Sequence, residues 1–467
     1  MKINIYARIF IISSAVILMT IVFVTFYFSE SPWGSSSFDS YSESLVTRKL
    51  LTSISFIDDL KQNGGFLLAD KNNVSTIIPG LYTSQVGLQG ILLNAVQKSV
   101  GIDAQTFIGI SRIIVALLFA ITIGIILHVV LDEFGLITGF LFVIIIVSSS
   151  WLVAFSKNLY WVSFTSFLPF AIGWYAYPKF QKGRNRFSIY LLITLGLILL
   201  KSLNGYEYIT NVILGATIGP LYYELKSGTR PKDLIKQIVL IGIAGIAGFA
   251  VAYLIHFSQL LLFTRDFEKS IYILTERAIV RTLGDNPYKT ACDFSNPVIL
   301  LLKYLNVRSV LGTRIPIIWM FSLYLLGMMP IIPYRGSKPA AITFIIFGGF
   351  FVGAGIGIDW FLGRPGIGIS QLVIISIGIA MMLFGIISLL NISIPNPEKL
   401  VPMGLTTTWA LVSSFTWVIL ARNHMACHIH LNSIVFYLPF GVTLFLYIGF
   451  WIQIIVKNVC KYFAKGI

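Results

Sequence analysis

The chain is built from a succession of long apolar blocks, many of about the length needed to cross a bilayer, separated by gaps that hold nearly all of its charge. A helix that is apolar all round must be enclosed or face lipid, and in lipid the backbone has to satisfy its own hydrogen bonds. Helices do this within one segment. A β-barrel would need alternating apolar and polar residues, whereas the apolar residues here come in runs. The expected fold is therefore all-α, a polytopic transmembrane helix bundle. With 56% hydrophobic and only 11% charged residues, and no internal repeat or low-complexity tail, nothing marks off a soluble domain, so 1–467 reads as one integral membrane unit.

The apolar blocks run at 9–28, 107–130, 136–152, 162–177, 187–200, 209–223, 238–257, 315–332, 340–358, 367–390, 403–421 and 434–456, which predicts about twelve spans. The first follows Lys2 and Arg8 and reads as a retained signal anchor with the N-terminus inside. Alternate crossing then puts every compact basic cluster inside: 179–186, 226–236, Arg335 with Lys338, Lys399, and the closing Lys457, Lys461 and Lys465. Both termini fall on the cytoplasmic side. The net charge of +15 reflects this topology and contact with anionic headgroups, not nucleic acid, because its basic residues sit in the gaps between blocks.

The opposite face receives two long segments, 29–105 and 258–314, and several short gaps crowded with polar and aromatic residues. Asp39, shortly after the first span, could take a proton from an attacking hydroxyl, with Asp58 and Asp59 as further acids in the same loop. A helix-capping role suits Asp39 equally well. Residues 77–99 read as an amphipathic helix along the outer interface, a groove floor or a plain seal of the bundle.

Lys157, Lys201, Arg265, Arg314, Arg364 and Arg422 break the positive-inside pattern. They suit a phosphate at headgroup level, or else snorkelling and pairing with Glu207 and Asp359. Tyr160, Trp161, Tyr206, Tyr208 and Trp360 could stack on a sugar or form an interfacial belt. His424 and His428, four apart, share a helical face and His430 follows, but Met425 stands where a zinc protease would carry its glutamate. Sugar or phosphate contact is the better functional reading for them. No cofactor is expected, and no clear motif supports a divalent metal. Cys292 and Cys427 fall outside and Cys460 inside, so one outer disulfide is open.

With these residues laid out, the chain resembles the C-type superfamily of integral membrane glycosyltransferases, in particular bacterial enzymes of surface-polysaccharide and O-antigen assembly. The resemblance rests on one N-terminal span, a long outer loop with Asp39 soon after it, interfacial-helix material before the next span, and cationic and aromatic clusters at later outer gaps. It implies a polyprenyl-phosphate-linked sugar donor, an acceptor glycan or lipid-linked saccharide, and an active site on the periplasmic face of the bacterial inner membrane. Carried over, the general-base role falls on Asp39, with Asp58 or Asp59 as the second acid. Lys201, Arg265 or Arg364 would steady the lipid phosphate, while His424, His428 and Tyr206 orient sugar hydroxyls. The second outer gap, Lys157 to Trp161, lacks the carboxylate such enzymes often carry there. A transporter or flippase of lipid-linked saccharide, or a polysaccharide polymerase, is the alternative.

Overall fold

The computed structural model of the protein describes residues 4–25, 39–70, 78–181, 184–283, 300, 304, 308–310, 315–328, 349, 397–428 and 433–465. The first apolar block is helix α1 (Ile5–Thr25). An outer segment follows with α2 (Ser40–Leu51), α3 (Phe56–Asn63), the strands β1 (Leu67–Leu68) and β2 (Leu81–Tyr82), and α4 (Leu88–Val100). β1 and β2 pair antiparallel, with Leu67 opposite Tyr82 and Leu68 opposite Leu81.

The bundle continues with α5 (Ala104–Glu133), α6 (Leu136–Ser148), α7 (Ser150–Ser156), α8 (Phe164–Phe180), α9 (Arg184–Asn204), α10 (Ile209–Ala216), α11 (Ile218–Lys226) and α12 (Pro231–Thr264). After α13 (Phe267–Leu283) come β3 (Arg308–Val310), β4 (Ile315–Pro316), α14 (Ile318–Met328), α15 (Pro397–Leu420), α16 (Arg422–Cys427) and, beyond a π-helical turn at Tyr437–Gly441, α17 (Val442–Lys465).

Among the described residues six helices are long and apolar enough to cross a membrane, or up to seven crossings if the pair α6 and α7 counts as one. The protein is thus an all-α membrane protein in its described parts, apart from the two short strand pairs. The predicted spans 340–358, apart from residue 349, and 367–390 lie outside the described residues, as do Arg314, Asp359, Trp360, Arg364, His430 and Cys292.

Among the described residues the predicted spans 136–152 and 209–223 are each broken, for local reasons. α6 and α7 bend by 70° at Ser149, whose backbone turns extended and whose Oγ accepts from the Leu152 N–H at 3.4 Å. Consecutive serines at 148–150 offer the backbone this alternative to the helical ladder. α10 and α11 part at Thr217, where the hydroxyl donates to Leu214 O at 2.6 Å and accepts the Trp409 indole N–H at 2.8 Å. Pro220, just beyond, has no N–H to continue the ladder. At this break α11 comes so close to α8 that a Cβ on Gly219 would lie 2.5 Å from the Trp174 backbone nitrogen, so only glycine fits.

One pole of the bundle is tied by ions around the end of α5. Arg8 meets Asp132 at 2.5 Å, Lys226 meets Glu133 at 2.5 Å, and Lys399 donates to the Glu133 carbonyl at 2.6 Å. This is the pole that holds the basic gaps. The core between the poles packs Phe119, Phe134, Trp151, Trp174, Tyr222 and Tyr447.

The outer segment sits at the opposite pole. Its helix is shorter than expected: residues 78–86 form the β2 hairpin arm, and α4 starts only at Leu88, after Gly87 in the left-handed region. A side chain at Gly87 would strain the backbone and bring Cβ to 2.9 Å from Leu67. α4 is amphipathic in the reverse sense. Gln89, Asn94 and Gln97 are buried, while Leu92, Val96 and Val100 are 53%, 49% and 59% exposed. The second outer segment begins later than the sequence suggested, because α12 runs on as a helix to Thr264.

Candidate functional site

The turn between α7 and α8 organises the loop pole. Asn158 Oδ1 accepts the N–H groups of Tyr160 at 3.0 Å and Trp161 at 3.3 Å, an Asx-type turn that stands two large rings on consecutive positions. Both rings are buried. The Trp161 indole N–H donates to Asp39 Oδ2 at 2.6 Å, while the Asp39 side chain also caps α2 by accepting the Ser42 N–H at 3.3 Å. Both readings of Asp39, cap and functional carboxylate, are therefore compatible in one side chain. Burial raises its pKa above the ordinary carboxylate range; the hydrogen bonds from Ser42 and Trp161 oppose this, and the charge of Glu207 adds a smaller push upward.

Glu207 is buried beneath the same turn. Tyr160 OH lies 3.2 Å from Glu207 Oε1, 3.2 Å from Gln85 Oε1 and 3.1 Å from Tyr82 OH. One hydroxyl proton serves two acceptors here, and the carboxylate is the stronger. Gln89 donates to Tyr160 O at 3.1 Å and Gln85 to Asn204 O at 2.8 Å, so the buried polar face of α4 and the arm before it hold the turn from below.

One helical turn beyond Asp39, Glu43 takes a bidentate pair from Arg112 of α5, Nε at 3.0 Å and Nη2 at 2.7 Å, and accepts the Leu159 N–H at 3.3 Å. Lys157 donates to the Val24 carbonyl at 2.7 Å. Burial, with Arg112 nearby, brings its pKa down to about 8, against a smaller upward pull from Glu43. Two cations and three carboxylates thus surround one turn.

The backbone is strained here as well. Among the described residues four non-glycine residues have positive φ, and three of them belong to this cluster: Asp39 at 44°, Val162 at 42° and Tyr208 at 61°. A β-branched residue such as Val162 in this region costs about 1–2 kcal/mol, and strain of this kind gathers at functional sites.

From Trp161 a run of rings leads across the pole. Tyr208 stacks on Trp161 at 5.5 Å and 17°, Trp417 meets Tyr208 edge-on at 5.6 Å, His424 lies 6.3 Å from Trp417, and His428 lies 4.8 Å from His424. The i, i+4 reading of the two histidines holds in geometry. Among the described residues no three His, Cys, Asp or Glu side chains converge as metal ligands would.

The fold thus brings together Asp39, Lys157, Tyr160, Trp161 and Glu207, and joins His424 and His428 to them through Tyr208 and Trp417. Other sequence candidates lie elsewhere. Asp58 caps α3 with Ser55, whose Oγ donates to it at 2.6 Å, and Asp59 is 1% exposed and paired with Lys49 at 2.6 Å. Lys201 is buried and donates to Gly205 O at 2.9 Å, closing the end of α9. Arg265 is an exposed left-handed residue ending α12. Tyr206 turns to Phe249, Tyr253 and His256 of α12.

Arg112 was absent from the sequence candidates. Its signal was a lone cation inside an apolar helix of 30 residues, which marks a functional or paired position by default.

Fold and site together define a polytopic α-helical membrane protein with a dense polar and aromatic network at one pole. No family model, no curated protein and no solved structure matches the chain.

Proposed function

We propose that the protein is an integral membrane glycosyltransferase of about twelve spans, working at the pole opposite its basic gaps, the periplasmic face of a bacterial inner membrane. It transfers a sugar from a polyprenyl-phosphate carrier to an acceptor glycan or lipid-linked saccharide. The observation that carries this reading is the Asp39 carboxylate, half-buried, more basic than usual, and aimed by the Trp161 indole N–H at 2.6 Å.

In the reaction an acceptor hydroxyl oxygen forms the new bond to the anomeric carbon while Asp39 takes its proton. The bond from that carbon to the carrier phosphate breaks, and its electron pair leaves with the phosphate. Arg112 and Lys157, in place of Lys201 and Arg265, are the cations that steady the departing charge, since both lie at the turn that carries Trp161. Arg112 is 41% exposed in its side chain and keeps room for a second partner beside Glu43.

The test is transfer in proteoliposomes supplied with lipid-linked sugar, with acceptor mass read by mass spectrometry. A gain of one sugar per acceptor supports the enzyme. A multi-sugar repeat unit added at once indicates a polymerase. The broken helices α6 and α7, bent by 70°, favour a carrier as the second reading, and unchanged acceptor mass with donor moved between leaflets would establish it.

The pH profile gives a separate check. Asp39 must be ionised to act, so its raised pKa moves the acidic limb above the usual carboxylate value of about 4. Lys157 loses its charge as pH rises through about 8, so transfer should fall on the alkaline side. In Lys157→Met the alkaline fall should disappear, with a lower plateau rate; an unchanged alkaline limb would remove Lys157 from the phosphate role.

A further inference from the structure

The inner half of α5 is buried on most sides, and what it leaves open forms one line. Ile121 and Asp132 are exposed, Ile125 and His128 are half-buried, and every other residue from 122 to 131 is buried. Spacings of four, three and four put these side chains on one helical face. The line continues along α5 through the exposed Leu118 and Ile114.

α1 and α8 both pack along α5, and α8 offers a matching open line in Leu168, Ile172, Tyr175 and Lys179. On the other side α1 comes so close that a Cβ on Gly124 would lie 2.7 Å from Val16. The three helices make a lipid-facing furrow with α5 as its floor. It is apolar along most of its length and polar only at the pole of the basic gaps.

The polar end draws on all three helices. Arg8 of α1 pairs with Asp132 at 2.5 Å, and His128 Nε2 lies 3.7 Å from the same carboxylate. From α8 the Tyr175 ring meets the His128 ring edge-on at 5.6 Å, and the Lys179 ammonium stands 3.8 Å over the Tyr175 ring. Arg8 and Lys179 both lie within electrostatic reach of His128. Two permanent cations thus face one carboxylate, which Arg8 already engages. A ring face takes only one side of an ammonium, so Lys179 is positioned and still has protons to donate.

Depth separates this cluster from an ordinary basic rim. Glu133 meets Lys226 and Lys399 from the basic gaps and so marks headgroup level. His128 lies five residues deeper, about 7.5 Å along the axis at the helical rise. An imidazole open to hydrocarbon there is costly, and its side chain is too short to snorkel; a phosphate oxygen at that depth would recover the cost.

We infer that this furrow binds one acidic phospholipid of the leaflet at the basic pole. An acyl chain lies along Leu118, Ile121 and Ile125, and the phosphate meets His128 and Lys179, with Arg8 facing it from α1. A zwitterionic lipid would bring a cation of its own against Lys179 and Arg8, so the site selects net negative charge. The inference stands apart from the transferase reading.

The test uses the full chain in phosphatidylcholine nanodiscs doped with phosphatidylglycerol that carries a diazirine near the head of one acyl chain. After irradiation, peptide mapping should place the crosslinks on the inner half of α5 and on α8. Unlabelled phosphatidylglycerol should suppress them about fivefold or more, the size expected of one basic residue at headgroup level, whereas equal phosphatidylethanolamine or added inorganic phosphate should not. Lys179→Met and His128→Leu should each lower labelling about as much. Arg230→Gln, which removes a cation paired with Asp233 at the same pole, should leave it unchanged. A monodisperse elution profile shows that each variant is folded, and the lipid competition on the parent chain decides the matter without any variant. Equal suppression by phosphatidylethanolamine overturns the inference, as does an equal loss in Arg230→Gln, which would indicate diffuse surface charge. Suppression by inorganic phosphate alone, or crosslinks through α5 to a second copy of the chain, would overturn the lipid as occupant.

Discussion

Asp39→Asn should abolish nearly all sugar transfer, a fall of about 10²–10⁴-fold, the range for loss of a general base. Asparagine is the sharpest substitution at this position because it removes charge and basicity while keeping the side chain's size and one acceptor oxygen. Its single amide oxygen can take either the Ser42 N–H or the Trp161 indole N–H, which Asp39 accepts on separate oxygens, and its NH2 group then faces the other donor. The variant should insert and elute as the parent does and lose about 1 kcal/mol of stability for the one unmet donor, with donor-substrate binding unaltered. Asp39→Ala would add a capping loss of about 1 kcal/mol and blur the result. Initial rates of transfer in proteoliposomes at matched protein density give the answer, and a variant retaining more than a tenth of the parent rate would remove Asp39 from the chemistry.

The second large effect is on stability. Asp59→Ala should destabilise the outer segment by about 3–5 kcal/mol, because it leaves Lys49 charged and unpaired in a dry site. The pair is buried on both sides at 2.6 Å, and burial already lowers the Lys49 pKa despite the ionised partner. Lys49 further donates to the carbonyls of Gly65 at 2.9 Å and Phe66 at 2.8 Å, so its displacement would also loosen the approach to β1. Thermal unfolding followed by proteolysis of the outer segment should show the loss. The double variant Lys49→Met with Asp59→Ala should recover much of it, since an apolar pair of similar volume often serves as well as a buried ion pair. Asp58→Ala, which touches only the exposed start of α3, should cost about 1 kcal/mol or less. A large loss of activity at Asp59 with unchanged stability would contradict this assignment and return Asp59 to the list of acids that act on substrate.

The helical membrane fold was legible because apolar blocks such as 107–130 are unambiguous at any reasonable boundary. What the blocks did not disclose was where a span would break. Ser149 and Thr217 have ordinary hydropathy neighbours, and their side-chain bonds to the backbone decide the outcome locally. The site was partly legible for a similar reason. Asp39, Lys157, Tyr160, Trp161 and Glu207 stood out as polar and aromatic residues in outer gaps, and topology alone gathers such gaps at one pole.

Sequence could not rank them. The partner of Asp59 is Lys49, ten residues earlier and across a turn, and the acceptor of Arg112 is Glu43, 69 residues away. Neither pairing follows from spacing. Lys201 reads as an outer cation in a string of letters, yet the turn at Gly205 folds back and occupies it.

The reversed amphipathicity of α4 has a practical consequence for anyone working with the outer segment by itself. A surface loop usually survives excision because its apolar residues were inside it. Here Leu92, Val96 and Val100 face outward, and the side chains that would ordinarily keep such a helix in water are turned inward to Tyr160, Asp59 and Ile102. Released from the bundle, the outer segment would still carry Leu92, Val96 and Val100 on its surface and would collect on lipid, on detergent or on one another.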